Sequence, residues 1–518
     1  MMKFFKNYIG GQNSLKGASL ILIITLFLSN ILGVVRDHYL AQKIPTSLLD
    51  TYYAAFRLPD LIFNLMILGA ITSAFIPVFA SYIWQNRTKD GWYVANVFLN
   101  MALIAVILAC IILFIIMPYL VPVLVPKFDL EKQEITLKLS RLMLLSPVFF
   151  GFSYIFGGIL NSYKRFLAYS VAPLFYNLSI IVATLFLSGR YSVYGVAFGV
   201  VAGAFLHMVV QLPAAYSLGF RWRLVWDPLC QGARRILKLM VPRTIGLASQ
   251  QLLLLVYTAI GSALGGGAVA IFNLADNIQT MPTVVFGTAF ATAVFPLLSE
   301  TVSLKDDEKF SYYFNRILRT VLFFLIPLSV GMILLRTQIV RLILGSGHFG
   351  WEQTILTSQT LGFFAISLVA QGSIPLLARA FYARQNTKTP MTISIISGLL
   401  SIIFGYIFAK TLGVAGLALA FSLGSFLNAF LLYILFQKDN KTIQASVIFI
   451  FVAKVILMSL LMAVAIQLSK YILAPVVDMH RFWGIFVQTF GAATVGILVY
   501  FVLAWIFKLK EVRANGQR

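Results

Sequence analysis

The chain has 518 residues, 60% of them hydrophobic and only 11% charged, with mean hydropathy +0.90. A soluble chain carries roughly 25% charged residues, so a soluble enzyme and a disordered scaffold are both excluded. The formal net charge of +23 would suggest nucleic acid in a soluble protein. In a chain this apolar it reads as basic loops against anionic lipid heads, and no nucleic-acid partner is expected.

The first apolar run covers about 18–35. It exceeds the ~7–15-residue core of a signal peptide and no small-x-small cleavage signal follows it, so it reads as a retained first helix. Further runs fall at about 51–83, 93–120, 139–160, 168–188, 193–220, 244–264, 268–299, 314–335, 354–381, 391–409, 413–436, 446–469 and 483–507. Barrel strands would alternate every second residue over about 10 residues; these runs do not. The pattern predicts an all-α polytopic membrane protein with fourteen transmembrane helices, the longer ones tilted or broken. Prolines inside the runs, among them Pro59, Pro147, Pro282 and Pro375, each remove a backbone hydrogen bond and permit a kink.

Lys and Arg set the expected orientation. With the N-terminus placed inside and the helices alternating, 26 of the 40 fall on the inner side and ten on the outer. That bias predicts both termini in the cytoplasm. The longest basic loop, 221–243, spaces Leu229, Ala233, Ile236, Leu237 and Met240 on one helical face and Arg234, Arg235 and Lys238 on the other. It predicts an amphipathic helix in the membrane interface, linking two halves. Cys110 lies in an apolar run and Cys230 in that basic loop, so no disulfide framework is expected. The four histidines are far apart, and neither a metal site nor a cofactor is expected.

The sequence repeats itself at an offset near 218. Gly195-Val196-Ala197 recurs as Gly413-Val414-Ala415, and Gly203-Ala204-Phe205-Leu206 as Gly424-Ser425-Phe426-Leu427. Tyr163-Lys164-Arg165 recurs loosely as Tyr382-Ala383-Arg384. A six-helix repeat keeps the same topology in both halves, which is a transporter plan. The expected division is an N-lobe at 1–220, a cytoplasmic linker at 221–243, a C-lobe at 244–437, and an added helix pair with a tail at 438–518. The two lobes would surround a central cavity.

Ionisable groups at membrane depth are costly and normally face a cavity or one another. Arg36 and Asp37 end the first helix; Asp50, Arg57 and Asp60 share one face of the second; Asp276 and Asn277 hold the corresponding early part of the eighth. Asn30 and Asn64 add intramembrane amides. Two readings stay open: an anion site held by arginine forks with acidic gating partners, or a structural Arg–Asp network.

These residues carry a resemblance. Gly33-Val34-Val35-Arg36-Asp37, Asp50-x5-Phe56-Arg57-Leu58-Pro59-Asp60, and Gly69-Ala70-x3-Ala74-Phe75-Ile76-Pro77 resemble the MurJ (MviN) lipid II flippases of bacteria. Ala275-Asp276, Pro282, Gly287, Phe295-Pro296 and the run Phe381 to Pro390 are similar to the same family. The resemblance covers essentially the whole chain. It implies a transporter, not an enzyme, in the bacterial inner membrane. Its substrate would be undecaprenyl-pyrophosphoryl disaccharide-pentapeptide, moved from the inner to the outer leaflet by alternating access. Arg36, Arg57, Asn30, Asn64 and Asn277 would contact substrate, and Asp37, Asp50, Asp60 and Asp276 would serve as ion-pair or gating groups. A monomer in membrane lipid would suffice.

The chain departs from the family where further cavity arginines are usual: it has Asn30, Phe63 or Asn64, and Asn277. Leu68 stands where the family often has Glu. Another polyprenyl-linked glycan exporter and a cation-coupled multidrug antiporter of the same superfamily are the alternatives.

Overall fold

The computed structural model describes residues 15–68, 74–439, 445–509 and 511. The Gly69-Ala70 part of the third motif and the terminal basic residues Lys3, Lys6, Arg513 and Arg518 lie outside them. Among the described residues the chain is helical and contains no strand. In chain order the helices are α1 (Leu15–Lys43), α2 (Thr46–Ile62), α3 (Ile76–Trp84), α4 (Thr88–Leu124), α5 (Leu130–Met143), α6 (Leu145–Ser162), α7 (Phe166–Phe186), α8 (Ser188–Ser217) and α9 (Gln231–Ser262). There follow α10 (Ala268–Pro282), α11 (Ala289–Ser303), α12 (Asp307–Leu344), α13 (Trp351–Ile366), α14 (Leu368–Ala383), α15 (Lys388–Leu412), α16 (Val414–Asp439), α17 (Ala445–Leu473) and α18 (Phe482–Ile506).

Among the described residues ten helical stretches are long and apolar enough to cross a membrane, or eleven if α13 and α14, bent by 42° at their junction, form one span. Their outward faces carry the apolar side chains that water would penalise: Ile111, Ile112 and Ile115 on α4, and Phe449 and Ile450 on α17, are all at least half exposed. Lipid is the environment that removes this cost.

The chain forms two compact units, Met1–Ala270 and Ile271–Arg518. In the second, α12 is central. Its Phe310, Phe314, Leu318 and Phe323 are buried in one apolar cluster with Leu376 and Phe381 of α14, Phe436 of α16, Val455 and Met458 of α17, and Tyr500 of α18. The Tyr500 hydroxyl satisfies itself on the Phe323 carbonyl at 2.7 Å. In the first unit, α9 starts at Gln231 and runs unbroken to Ser262. The face expected to be apolar is buried at Ala233 and Ile236, while Arg234, Arg235 and Lys238 are exposed. Gly232 lies against Val94 and Tyr82, so this turn packs on protein.

The repeat is written in the backbone of each unit. α2 passes into a π-helical turn at Phe63–Leu68, four residues after Pro59; α10 passes into another at Thr283–Thr288, directly after Pro282. A proline cannot donate to the helical ladder, and the loosened turn accommodates the wider winding. Left-handed residues recur in pairs: Asn86 with Lys305, Lys164 with Gln385, and Ser192 with Gly413. Ser192 (φ 49°, ψ −135°) and Gly413 (φ 60°, ψ −139°) have nearly the same conformation. Gly195 then abuts the Leu187 backbone as Gly416 abuts that of Phe408. The structural partner of Gly195 is therefore Gly416, three residues beyond the Gly413 that the Gly-Val-Ala triplet suggests. Gly203 and Gly424 pair as the sequence indicates: each faces the preceding helix, at Tyr176 and at Ser397.

Candidate functional site

The first unit gathers most of the membrane-depth charge. Arg36, in the last two turns of α1, donates from Nε and Nη2 to Asp37 Oδ1 at 3.0 and 2.9 Å. Its remaining arm, Nη1, donates to Asn177 Oδ1 of α7 at 3.2 Å. Asn177 in turn donates to the Ser29 carbonyl at 3.3 Å, so the amide ties α7 to α1 at the arginine and again two turns before it. The Asp37 side chain is 4% exposed but that of Arg36 is 21%. The carboxylate is sealed in, and the arginine side chain keeps part of its surface open.

Tyr52 and Tyr53 of α2 and Tyr176 of α7 stand close enough to Arg36 to interact electrostatically. Tyr53 is buried, and its hydroxyl has no hydrogen-bond partner. An unpaired buried hydroxyl costs about 1–3 kcal/mol, so a donor held without a partner beside an arginine is a feature of a site that receives something.

Arg57, three turns into α2, is 8% exposed and donates from Nε to Thr258 Oγ1 of α9 at 2.8 Å. Asp60 is one turn further on and interacts with Arg57; its carbonyl accepts the Asn64 side chain at 2.9 Å. Asp60 and Arg36 both reach Tyr176 electrostatically, so the two arginine groups flank a common tyrosine.

Asp50 does different work. It is 1% exposed, and its Oδ1 accepts the Ala270 backbone N–H at 2.9 Å. Lys132 of α5 approaches its Oδ2 at 3.9 Å. A carboxylate on the first-turn N–H groups of α10 satisfies orphan donors and complements the helix dipole. Just before it, Gly267 has φ 83° and lies on Thr46, so both the backbone and the space there call for glycine.

Asn30 donates to the Leu26 carbonyl of its own helix at 3.0 Å. Asp276 and Asn277 belong to the second unit, where Asp276 Oδ1 accepts Gln279 Nε2 at 2.8 Å and Gln279 exchanges bonds with Gln371. The partners Tyr52, Tyr53, Tyr176, Thr258 and Lys132 were not expected from sequence. Tyr52 and Tyr53 carried a signal: two adjacent polar rings on the charged helix. Thr258 and Lys132 carried none. No cluster of His, Cys, Asp and Glu suited to a metal occurs among the described residues.

The Phe381-to-Pro390 run builds a turn. Gln385 takes φ 60°, Asn386 Oδ1 accepts the Thr389 N–H at 3.1 Å, and Arg384 reaches Asp307 at 2.9 Å over the rings of Phe310 and Phe436. It joins α14 to α15 and anchors them on α12.

Residues 45–487 match the family described as lipid II flippase MurJ. The lipid II flippase MurJ of Burkholderia cenocepacia is 29% identical over 421 residues, covering 79% of this chain and 81% of that protein. A probable lipid II flippase MurJ of Rickettsia prowazekii is 27% identical over 498 residues, covering 95% and 97%. A solved lipid II flippase MurJ in an inward closed conformation superimposes with TM-score 0.78 at 25% identity, covering 95% of this chain and all of that one. An inward-facing multidrug transporter of the MATE family shares the fold at TM-score 0.68 and 16% identity.

Proposed function

The chain belongs to the lipid II flippase MurJ family, and from that premise we propose how its own residues carry the transport. The protein is a lipid II flippase, a transporter and not an enzyme, and a multi-pass protein of the bacterial inner membrane. Its substrate carries a pyrophosphate between a polyprenyl tail and a glycan head. Moving that group through a bilayer means replacing its water shell with fixed donors.

The observation that carries the reading is Arg36: a guanidinium fixed by Asp37 and Asn177 on a partly open side chain, within electrostatic reach of Tyr53, whose hydroxyl is unpartnered. Arg36 takes pyrophosphate oxygens with the N–H capacity left to it, and Tyr53 donates a further hydrogen bond. Arg57, fixed by Thr258, supplies a second cation from the same unit. Asn64 and, in the second unit, Asn277 contact the head group, as does Asn30 after leaving its own helix. Asp37 and Asp60 hold the arginines in place; Asp50 and Asp276 act as ion-pair or gating groups.

The remaining layout is part of the same proposal. Fourteen spans form two six-helix lobes, at 1–220 and 244–437, with a linker at 221–243 and an added pair at 438–518. Both termini are cytoplasmic, a monomer suffices, and alternating access carries the substrate from the inner to the outer leaflet. The surplus of Lys and Arg on one set of loops supports the orientation.

The test is complementation. The resident lipid II flippase of a bacterial host is depleted, this chain is expressed, and lipid II at the outer leaflet is followed. Rescue by the wild-type chain and its loss in Arg36→Ala and Arg57→Ala is the expected result. Full rescue by both variants overturns the assignment of these cations. No rescue by membrane-inserted wild-type chain overturns the substrate.

A further inference from the structure

A second polar site lies in the second unit. The acidic run Asp306-Asp307-Glu308 opens α12, and its first two members are used structurally. Asp306 accepts the Lys309 N–H at 2.9 Å and caps the helix; Asp307 pairs with Arg384. Glu308 forms no ion pair among the described residues. It faces a cleft of about 440 Å³ between α12 and the start of α17, lined also by Tyr312, Asn315, Arg319, Val447 and Ile448.

The polar balance of this cleft is unusual. Asn315 Oδ1 is fully buried and accepts no hydrogen bond. Arg319 is paired with Glu511: its Nε lies 2.9 Å from Glu511 Oε1 without an aligned hydrogen bond, and its guanidinium sits 4.4 Å from the Phe451 ring centroid. The second oxygen of Glu511, Oε2, is buried without a partner. The cleft and its margin thus present three unmatched acceptors, the Glu308 carboxylate, the Asn315 amide oxygen and Glu511 Oε2, beside one cation that already faces a carboxylate. A positively charged ligand with N–H donors answers them. On the outer side of the same helix turn, Arg316 donates to the Tyr312 hydroxyl at 3.3 Å and has no carboxylate partner among the described residues.

The apolar wall identifies the source of the ligand. α12 and α17 are both spanning helices, and Val447, Phe449 and Ile450 on α17 are exposed to the lipid band. A ligand in the cleft is continuous with that band. We propose that this cleft binds the head group of an aminophospholipid of the ethanolamine class. The primary ammonium donates to Glu308 and Asn315, the phosphate is met by Arg316, and an acyl chain runs along Val447. A primary ammonium has three N–H donors, whereas the trimethylammonium of choline has none and an uncharged glycerol head lacks the cation.

The full chain is tested in nanodiscs holding equal parts of phosphatidylethanolamine, phosphatidylcholine and phosphatidylglycerol with matched acyl chains. Lipid retained on release is read by native mass spectrometry. Phosphatidylethanolamine is expected to be retained at least 10-fold over phosphatidylcholine, and Glu308→Gln and Asn315→Leu to bring the ratio close to one. Glu308 is exposed, so its variant tests the site even where Asn315→Leu does not fold. Equal retention of the ethanolamine and choline lipids, or preference for phosphatidylglycerol, overturns the proposal. An unchanged preference in Glu308→Gln places the lipid elsewhere and overturns the site. Soluble phosphoethanolamine binding as tightly as the lipid would replace the membrane as the source and overturn it too. No lipid II enters this experiment, so it and the flippase reading fail independently.

Discussion

Arg36 spends two of its donors on a single oxygen of its sequence neighbour Asp37 and sends a third across to Asn177, 141 residues away. The two contacts together fix the plane and direction of the guanidinium. On the proposed reading this makes the arginine a preorganised anion receptor and not a mobile charge. Lysine has the charge without the fork. Arg36→Lys is therefore expected to lower lipid II exposure at least 10-fold in a depleted host while membrane insertion is unchanged. Arg36→Ala is expected to be worse, because it leaves the Asp37 carboxylate buried without its cation, a cost of about 3–5 kcal/mol. Thermal unfolding of the purified variants separates the two effects.

Tyr53 allows a cleaner separation of binding from folding. Its hydroxyl is buried with no partner, so removing it costs the empty protein nothing in hydrogen bonding. Tyr53→Phe is expected to leave the unfolding temperature unchanged or slightly raised. If the hydroxyl donates to pyrophosphate, the same change weakens substrate retention by about 1–1.5 kcal/mol, roughly 5- to 13-fold. Co-purified polyprenyl lipid measures this. Undiminished retention would remove Tyr53 from the site.

Asp50 predicts a stability effect with little chemistry. Its carboxylate caps the start of α10 from α2. Asp50→Ala is expected to cost about 1–2 kcal/mol, in the range of helix-cap losses. Asp50→Asn keeps an acceptor oxygen and is expected to cost less. Gly267→Ala introduces a Cβ against Thr46 at φ 83° and is expected to destabilise by at least about 1 kcal/mol. Both are read by thermal unfolding in detergent.

The legibility of the sequence divides along the same line as these predictions. Every apolar run is helical over most of its described length, because apolar length is a property of neighbouring residues. The repeat was visible too, and its register in part: Gly203 pairs with Gly424 as the sequence indicates, but Gly195 does not pair with Gly413. Gly195 resembles Gly413 as a residue, whereas the backbone matches Gly413 with Ser192, which adopts the left-handed conformation without being glycine. The charged residues of the site were found because charge in an apolar run stands out. Their partners were not: Asn177, Thr258 and Ala270 lie 141, 201 and 220 residues from the groups they bind. One hydroxyl among many carries no mark of its tertiary contact.

Thr258 provides the sharpest test of whether Arg57 is positioned or merely buried. Its hydroxyl accepts from Arg57 Nε at 2.8 Å and donates to the Leu254 carbonyl at 2.9 Å. Thr258→Val keeps the shape of the side chain and removes the acceptor. Hydrogen bonds to charged groups are worth about 1.5–3 kcal/mol, so the guanidinium is expected to shift and flipping to fall about 10-fold or more. Thr258→Ser restores the hydroxyl on a smaller side chain and is expected to recover most of the activity. A purely structural arginine would give a different pattern: Thr258→Val would lower the unfolding temperature while transport per folded molecule stayed at the wild-type level. Measuring outer-leaflet lipid II per inserted chain for the three residues at position 258 decides between these outcomes.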